Sequence, residues 1–370
     1  MATEALCPGG RLMATQEVWA RTIPACARSV ASATGQFDAV TIERREPGPL
    51  DILIEIAYAG ICHTDVHHAR AEFGTSHYPM VPGHEIAGVV SEIGSDVTRF
   101  AVGDRAGIGC IVDSCRECTR CRAGLESYCA AGPVLTYNSI GRDGLVTLGG
   151  YSERIVVDEA YAVRIPAGLA LETVAPLMCA GITTYSPLRR WNAGTGKRVA
   201  IIGFGGLGHV GVQIASALGA HVTVINKTEE QIDDARRMGA DDYRTATQPG
   251  ALDDLASSFD LIVSTVPISY DIDRHLQLVA MDGTFVNLGV PERPLSIEAY
   301  SLLINRRSVA GSSSGGIPET QEMVDFCAQN GIGAQVEVIE ADYIGDAYNR
   351  LVAGAVRYRF VIDAATFAGS

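Results

Sequence analysis

The sequence predicts an α/β protein of two domains, one β-rich and one built as a doubly wound parallel sheet. Its 370 residues, 47% of them hydrophobic, supply enough apolar material for two cores of ordinary size. From about residue 29 to residue 105, short strand-like runs are punctuated by Gly and Pro, the pattern of a barrel-like sheet. From Lys197 onward, strand-like and helix-like runs alternate, which is how parallel βαβ units read in sequence.

Composition narrows the function classes. A formal net charge of −14 opposes nucleic acid and anionic membrane surfaces as partners, because both would repel the chain. No apolar run is long enough to span a bilayer, so a small-molecule partner and a cytoplasmic location are expected. Ten cysteines in a chain of this length do not make a secreted disulfide scaffold. Four of them crowd into residues 115–129, which reads as a metal site.

Residues 1–28 show no clear periodicity and are read as an N-terminal extension. Glu4 and Glu17 argue against an acid-poor transit peptide. The β-branched run 51–57 is a strand leading into Gly60-Ile61-Cys62-His63-Thr64-Asp65, and residues 85–94 form another strand, leaving Pro82-Gly83-His84-Glu85. Gly103-Asp104-Arg105 is a turn. After Gly149-Gly150 comes a further strand over 151–157, and a helical connection begins near Ala175 and carries Cys179. Residues 197–203 then form a short apolar strand. Gly203-Phe204-Gly205-Gly206-Leu207-Gly208 follows at once, then an apolar-periodic helix to about Gly219 and a strand over 221–226. Later strands are expected at 260–266, 283–289 and 308–313, and helices at 229–238, 272–279 and 317–329, for a parallel sheet of about six strands. From about Pro318 the chain returns to complete the first domain and ends on a strand over 357–363. The expected division is therefore 29–178 with 318–370 for one domain and 179–317 for the other.

Three motifs carry chemistry. Catalytic zinc takes three protein ligands from Cys, His and carboxylate and keeps one position open. Cys62 and His84 are two such donors, and Cys179 is the candidate third, supplied from far along the chain. The competing reading makes the two thiols small core residues and His84 a satisfied loop histidine. Cys115-x2-Cys118-x2-Cys121-x7-Cys129 places four thiols in one short lobe and fits a closed structural zinc site. An iron–sulfur cluster and a pair of disulfides remain alternatives, the former disfavoured by the lack of a following Cys-Pro. Cys110 is surplus and read as core. The run Gly203 to Gly208, set between a strand and a helix, is a dinucleotide fingerprint. Its glycines allow the tight turn and the close approach of a pyrophosphate to the helix N-terminus.

Together these residues resemble the zinc-dependent medium-chain alcohol dehydrogenases, and more narrowly their cinnamyl-alcohol-dehydrogenase-like branch with its bacterial aldehyde reductases. The matches include Gly60 to Asp65, Gly83-His84-Glu85, the four-cysteine lobe, Cys179-Ala180-Gly181-Ile182-Thr183, the fingerprint and Gly315-Gly316-Ile317-Pro318. The resemblance implies a Rossmann domain beside a GroES-like catalytic domain, and a homodimer. It implies Cys62, His84 and Cys179 as catalytic zinc ligands, with Glu85 as a carboxylate able to approach the metal. Cys115, Cys118, Cys121 and Cys129 would hold the structural zinc, two ions per chain in all. Thr64 would meet the substrate hydroxyl, His67 would pass its proton to solvent, and Asp65 would fix the tautomer of His84. His63 would face the cofactor pyrophosphate. The cofactor set expected on this basis also includes Thr183, Gly203, Gly205, Gly206, Leu207, Gly208, Thr265, Gly289 and Ser313. His68, His77, His209, His221 and His275 are expected at surfaces or helix starts, without a role. Leu135, in Leu135-Thr136-Tyr137-Asn138, stands where plant cinnamyl alcohol dehydrogenases carry a tryptophan. That points to a broader aldehyde preference rather than a dedicated lignol substrate.

The expected cofactor is NADP(H). A NAD-specific fingerprint puts a carboxylate at the end of the second strand to bind the adenosine ribose. Here that place is Asn226, followed by Lys227 and Thr228, which suit a 2′-phosphate. Glu229 and Glu230 are read as opening the next helix, where acids suit the dipole. Two further readings stay open on sequence grounds: a zinc-independent quinone or enoyl reductase of the same fold, and a non-catalytic, redox-sensing NADP-binding protein.

Overall fold

The computed structural model describes residues 21–248 and 250–368. They divide into two compact units. One takes in the described residues up to Cys179 and from Gly315 on, the other Ala180–Ser314. Readings that fall on residues 1–20 lie outside the described residues.

The second unit holds a six-stranded sheet, parallel throughout. Its strand order is Asp242–Thr245, His221–Asn226, Arg198–Ile202, Phe259–Ser264, Val279–Asn287, Ser308–Gly311. Strands covered on both faces read as apolar runs rather than alternations, and Val199–Ile202 and Leu261–Val263 are buried throughout. One set of core contacts packs Ile202, Ile262 and Phe285 with Leu255, Ile272 and Leu276. The order reverses at the strand Arg198–Ile202, and the fingerprint leaves the carboxyl end of that strand. Such a switch point is where open α/β sheets bind ligands.

Several expectations on this unit need correction. The helix expected over 272–279 stops at Leu276, and Val279 already begins the next strand. Its Asp271 cap and apolar spacing are real, but Val279 through Asn287 is claimed by pairing with Phe259–Ser264. Glu229 and Glu230 do not open a helix. They lie exposed in the turn before Ile232–Arg237, whose first-turn acids are Asp233 and Asp234. The short edge strand Asp242–Thr245 was not expected, since four residues with one buried position leave no periodic signal.

The first unit is built on a seven-stranded sheet around the long strand Asp51–Gly60, which pairs with Ile86–Ile93, Arg154–Asp158 and the returning strand Arg359–Asp363. An antiparallel hairpin, Thr22–Val30 with Phe37–Arg45, precedes it. The first of these strands starts inside the stretch read as an extension. Its alternation is hidden because Ala25 to Val30 are all buried, Arg28 included. That guanidinium is held by Asp342 Oδ1 (2.7 Å) and the Phe367 carbonyl (3.0 Å), partners more than 300 residues away. Among the described residues no helix is long and apolar enough to cross a membrane.

Candidate active site

The strand Asp51–Gly60 delivers the chain to Cys62, which caps the short helix His63–Ala69. That helix sorts its residues by face. Asp65, Val66 and Ala69 point inward, while His63, Thr64, His67 and His68 stay half-exposed. Thr64 and His67 are three apart and share a side of the helix. His67 Nδ1 donates to Glu72 Oε2 at 2.5 Å, and its ring lies on Phe73 with centroids 4.6 Å apart.

His84 and Glu85 sit in the turn before the strand Ile86–Ile93. Cys179 falls between the turn Ala175–Met178 and the helix Ala180–Arg190. Cys62, His84, Glu85 and Cys179 are all buried, and they offer ligand atoms within 4.8 Å of one another. Their geometry suits a zinc ion. Metal–sulfur bonds of about 2.3 Å in a tetrahedron put the sulfurs about 3.8 Å apart, and Cys62 Sγ lies 4.0 Å from Cys179 Sγ.

The surrounding groups prepare these donors. Asp65, fully buried, can only accept hydrogen bonds as a carboxylate. His84 Nδ1 therefore carries the proton in their 2.9 Å contact, which leaves Nε2 as the ligand atom. Asp65 also accepts from the Cys62 backbone N–H (2.8 Å) and the Tyr151 hydroxyl (3.2 Å). Tyr137 stacks on His84 with centroids 5.8 Å apart.

Glu85 is the unusual member. Burial pushes its carboxyl up to about 8, while the Arg359 guanidinium, bonded to Oε1, pulls the other way. Its other oxygen, Oε2, is buried without a hydrogen-bond partner. An unpaired buried carboxylate oxygen is costly unless a cation meets it, so it too fits a metal site. Gly60 makes the room, since a Cβ there would lie 2.1 Å from Oε2.

The four-cysteine lobe is a second cluster, again with ligand atoms within 4.8 Å of one another. Its sulfurs lie 3.8 Å (Cys115–Cys121) and 3.5 Å (Cys118–Cys121) apart. Those are tetrahedral edges; a disulfide would need about 2.05 Å, so the disulfide alternative fails. Backbone N–H groups of Cys118 and Cys115 point at Cys115 Sγ and Cys129 Sγ, both at 3.3 Å. Backbone donation from Ala130 and then Cys121 holds the Cys118 thiol down to about 6, so it is ready to bind as thiolate.

Cys110, read as core, is half-buried, and its thiol hydrogen-bonds with Cys179. A Cβ on Gly109, next to Cys110, would lie 2.8 Å from the carbonyl of Met178, next to Cys179. No spacing rule signals this, because the contact depends on tertiary packing.

In the second unit the fingerprint's glycines have distinct causes. Gly203 adopts φ +87, closed to most side chains, and a Cβ on Gly208 would meet the Gly203 carbonyl at 1.9 Å. Gly205 has nothing within 4 Å of its Cβ position, so internal packing does not explain it; open space there suits a ligand. Gly206 and Leu207 complete the turn into the helix Gly208–Ala217. Thr265 Oγ1 donates to the Ile202 carbonyl (3.0 Å), which ties the end of the neighbouring strand to the turn. Gly289 packs against the Val266 carbonyl. Asn226 ends the second strand, with Lys227 exposed and Thr228 half-buried beside it. Thr183 lies in the helix Ala180–Arg190, and Ser313 follows the edge strand Ser308–Gly311. His209 sits at a helix start as expected but is fully buried, its Nδ1 donating to the Gly205 carbonyl at 3.0 Å.

Comparison with known proteins agrees with this geometry. Residues 48–167 match the alcohol dehydrogenase GroES-like domain, and residues 206–329 match the zinc-binding dehydrogenase family. An NADP-dependent alcohol dehydrogenase of Mycolicibacterium smegmatis is 55% identical over 92% of this chain and 98% of its own. An aldehyde reductase of Escherichia coli is 49% identical over 90% of this chain and 96% of its own. Among solved structures, a cinnamyl alcohol dehydrogenase of Sorghum bicolor superposes with a TM-score of 0.90 at 39% identity, over 93% of this chain and 98% of that one. One from Helicobacter pylori, complexed with NADP(H), gives 0.87 at 38% identity, over 93% and 99%. The chain belongs to the zinc-binding, medium-chain alcohol dehydrogenases, in their cinnamyl-alcohol-dehydrogenase-like branch.

Proposed function

We propose that this chain interconverts primary alcohols and aldehydes, aromatic and medium aliphatic, with NADP(H) as hydride carrier. The buried Cys62, His84, Cys179 set, with Glu85 and its unpaired Oε2, is the observation that carries the reading. A zinc-independent reductase has no need of such a set. The names of the Mycolicibacterium smegmatis and Escherichia coli relatives support the same activity and cofactor.

Cys62, His84 and Cys179 hold the catalytic zinc, with Glu85 as a carboxylate able to approach it. Cys115, Cys118, Cys121 and Cys129 hold a second, structural zinc. Zinc at the first site supplies Lewis-acid polarisation of a substrate oxygen, tempered by two thiolates, and NADP(H) supplies the hydride chemistry. Asp65 keeps the His84 proton on Nδ1. Thr64 takes the proton of a substrate hydroxyl, and His67, one turn along the same helix, hands it to solvent. Glu72 orients that imidazole. Thr183, the turn Gly203 to Gly208, Asn226, Lys227, Thr228, Thr265, Gly289 and Ser313 receive the cofactor. Dinucleotide binding is thereby assigned to the unit Ala180–Ser314.

The protein works as a cytoplasmic homodimer in this reading. The strand Ser308–Gly311 leaves one edge of the parallel sheet unpaired among the described residues. Exposed Met281, Tyr300, Leu303 and Ile304 lie in the same unit, and an edge with apolar company suits a second copy. Steady-state reduction of an aldehyde panel with NADPH and with NADH tests the reading. It predicts turnover of several aldehydes with kcat/KM higher for NADPH, and a ratio at or below one would sink the cofactor assignment.

A further inference from the structure

Position 226 is held by more than its place at the strand end. The Asn226 amide nitrogen donates to Gln231 Oε1 at 2.7 Å and to the Tyr243 hydroxyl at 2.9 Å. Both partners are themselves committed. Gln231 Nε2 donates to the Phe204 carbonyl inside the fingerprint at 2.8 Å. A carbonyl can only accept, so the Gln231 amide is oriented with its oxygen toward Asn226. The Tyr243 hydroxyl donates to the Thr228 carbonyl at 2.5 Å, which leaves its oxygen to accept from Asn226. Tyr243 is buried, and its strand pairs directly with the strand that ends in Asn226.

Two separate side chains, each anchored on a backbone carbonyl, therefore present acceptors to one position. An amide meets both with its two N–H groups. A carboxylate would set an anion against two oxygens. To accept it, Gln231 would have to turn away from Phe204, and Tyr243 would have to withdraw its proton from Thr228. The same contacts fix the backbone of residues 226–228, aided by Thr247 Oγ1 on the Lys227 carbonyl at 3.2 Å.

We propose that Gln231 and Tyr243 are positioning residues that set cofactor preference, holding residue 226 as an uncharged amide and excluding the carboxylate that NAD-specific sites use. The proposal rests on the NADP(H) reading above. It assigns the selectivity not to Asn226 alone but to a hydrogen-bond pattern that runs from the fingerprint turn to the edge strand.

The test uses full-length protein and two readouts. Asn226→Asp is made in the wild type and in the Gln231→Leu, Tyr243→Phe double variant, and the melting temperature is measured without cofactor. The substitution should lower melting clearly in the wild type and by less than about half as much in the double variant, because coupled neighbours are not additive. Should Asn226→Asp fail to accumulate in the wild type, its recovery in the double variant is the same coupling. Dissociation constants for NADPH and NADH are then measured by fluorescence for Gln231→Leu and Tyr243→Phe singly. Each should weaken NADPH by about two- to tenfold, the range one hydrogen bond spans, and NADH by less. Equal melting losses in both backgrounds, or equal weakening of both cofactors, would overturn the proposal. A wild type that binds NADH as tightly as NADPH overturns the cofactor reading itself and the selectivity role with it. The melting comparison still decides whether Gln231 and Tyr243 enforce an amide.

Discussion

The two metal-ligand clusters of the first unit share a donor chemistry and differ in how the chain assembles them. Cys115, Cys118, Cys121 and Cys129 come from one short lobe, where backbone N–H groups already point at the sulfurs. Cys62 and Cys179 are 117 residues apart and meet only because the sheet around Asp51–Gly60 has formed. The local cluster has four thiols and no room for chemistry, whereas the assembled one mixes thiol, imidazole and carboxylate. A site made by the fold can be tuned by the fold, and Asp65, Arg359 and Gly60 act on the second cluster alone. A site made by local sequence lends stability to its own segment. The contrast predicts that loss of the assembled site removes activity and spares the fold, while loss of the local site does the reverse.

The largest effect should follow from Cys62→Ser. Losing Lewis-acid stabilisation worth several kcal/mol lowers kcat/KM by about a thousandfold or more, with thermal melting close to wild type. Thr64→Ala comes next, with a loss of roughly a hundredfold, the usual value of an acid–base group. Thr64→Ser, which keeps the hydroxyl, should lose little; equal losses in the two variants would point to packing instead of proton transfer. Asp65→Asn tests the tuning directly. Zinc affinity at the assembled site should fall by about ten- to a hundredfold, as for outer-shell partners of ligand histidines, with the cysteine lobe still loaded in a chelator titration. The smallest effect is expected in the other unit. Lys227→Ala should weaken NADPH by about tenfold, the worth of one charge-assisted contact, and barely change NADH.

How much the sequence reveals follows the same contrast. The lobe is legible because its ligands are neighbours and their spacing is specific. The fingerprint is legible for the same reason, a strand, a glycine turn and a helix in immediate succession. Cys62, His84 and Cys179 are readable as donors, but what surrounds them is not. Arg359 reaches Glu85 across 274 residues, and Tyr151 reaches Asp65 across 86. Cys110 looks like surplus core until its thiol is seen to push the Cys179 thiol up. The opening hairpin hides because its buried Arg28 breaks the apolar pattern and is matched by Asp342 and the Phe367 carbonyl, both more than 300 residues away. Gln231 and Tyr243 look like ordinary turn and strand residues, since their meaning lies in which carbonyls they are anchored to.

The most direct test measures zinc per chain, melting temperature and aldehyde-reductase activity together for the wild type, Cys62→Ser and Cys118→Ser. The wild type should carry about two zinc ions, one for each closed or catalytic ligand set. Cys62→Ser should carry about one, melt near the wild-type temperature and be inactive. Cys118→Ser should also carry about one but melt lower, because structural zinc contributes to folding, and it should retain activity in whatever fraction stays folded. The account would be contradicted if both variants lost the same property, or if Cys62→Ser kept its activity with a single zinc.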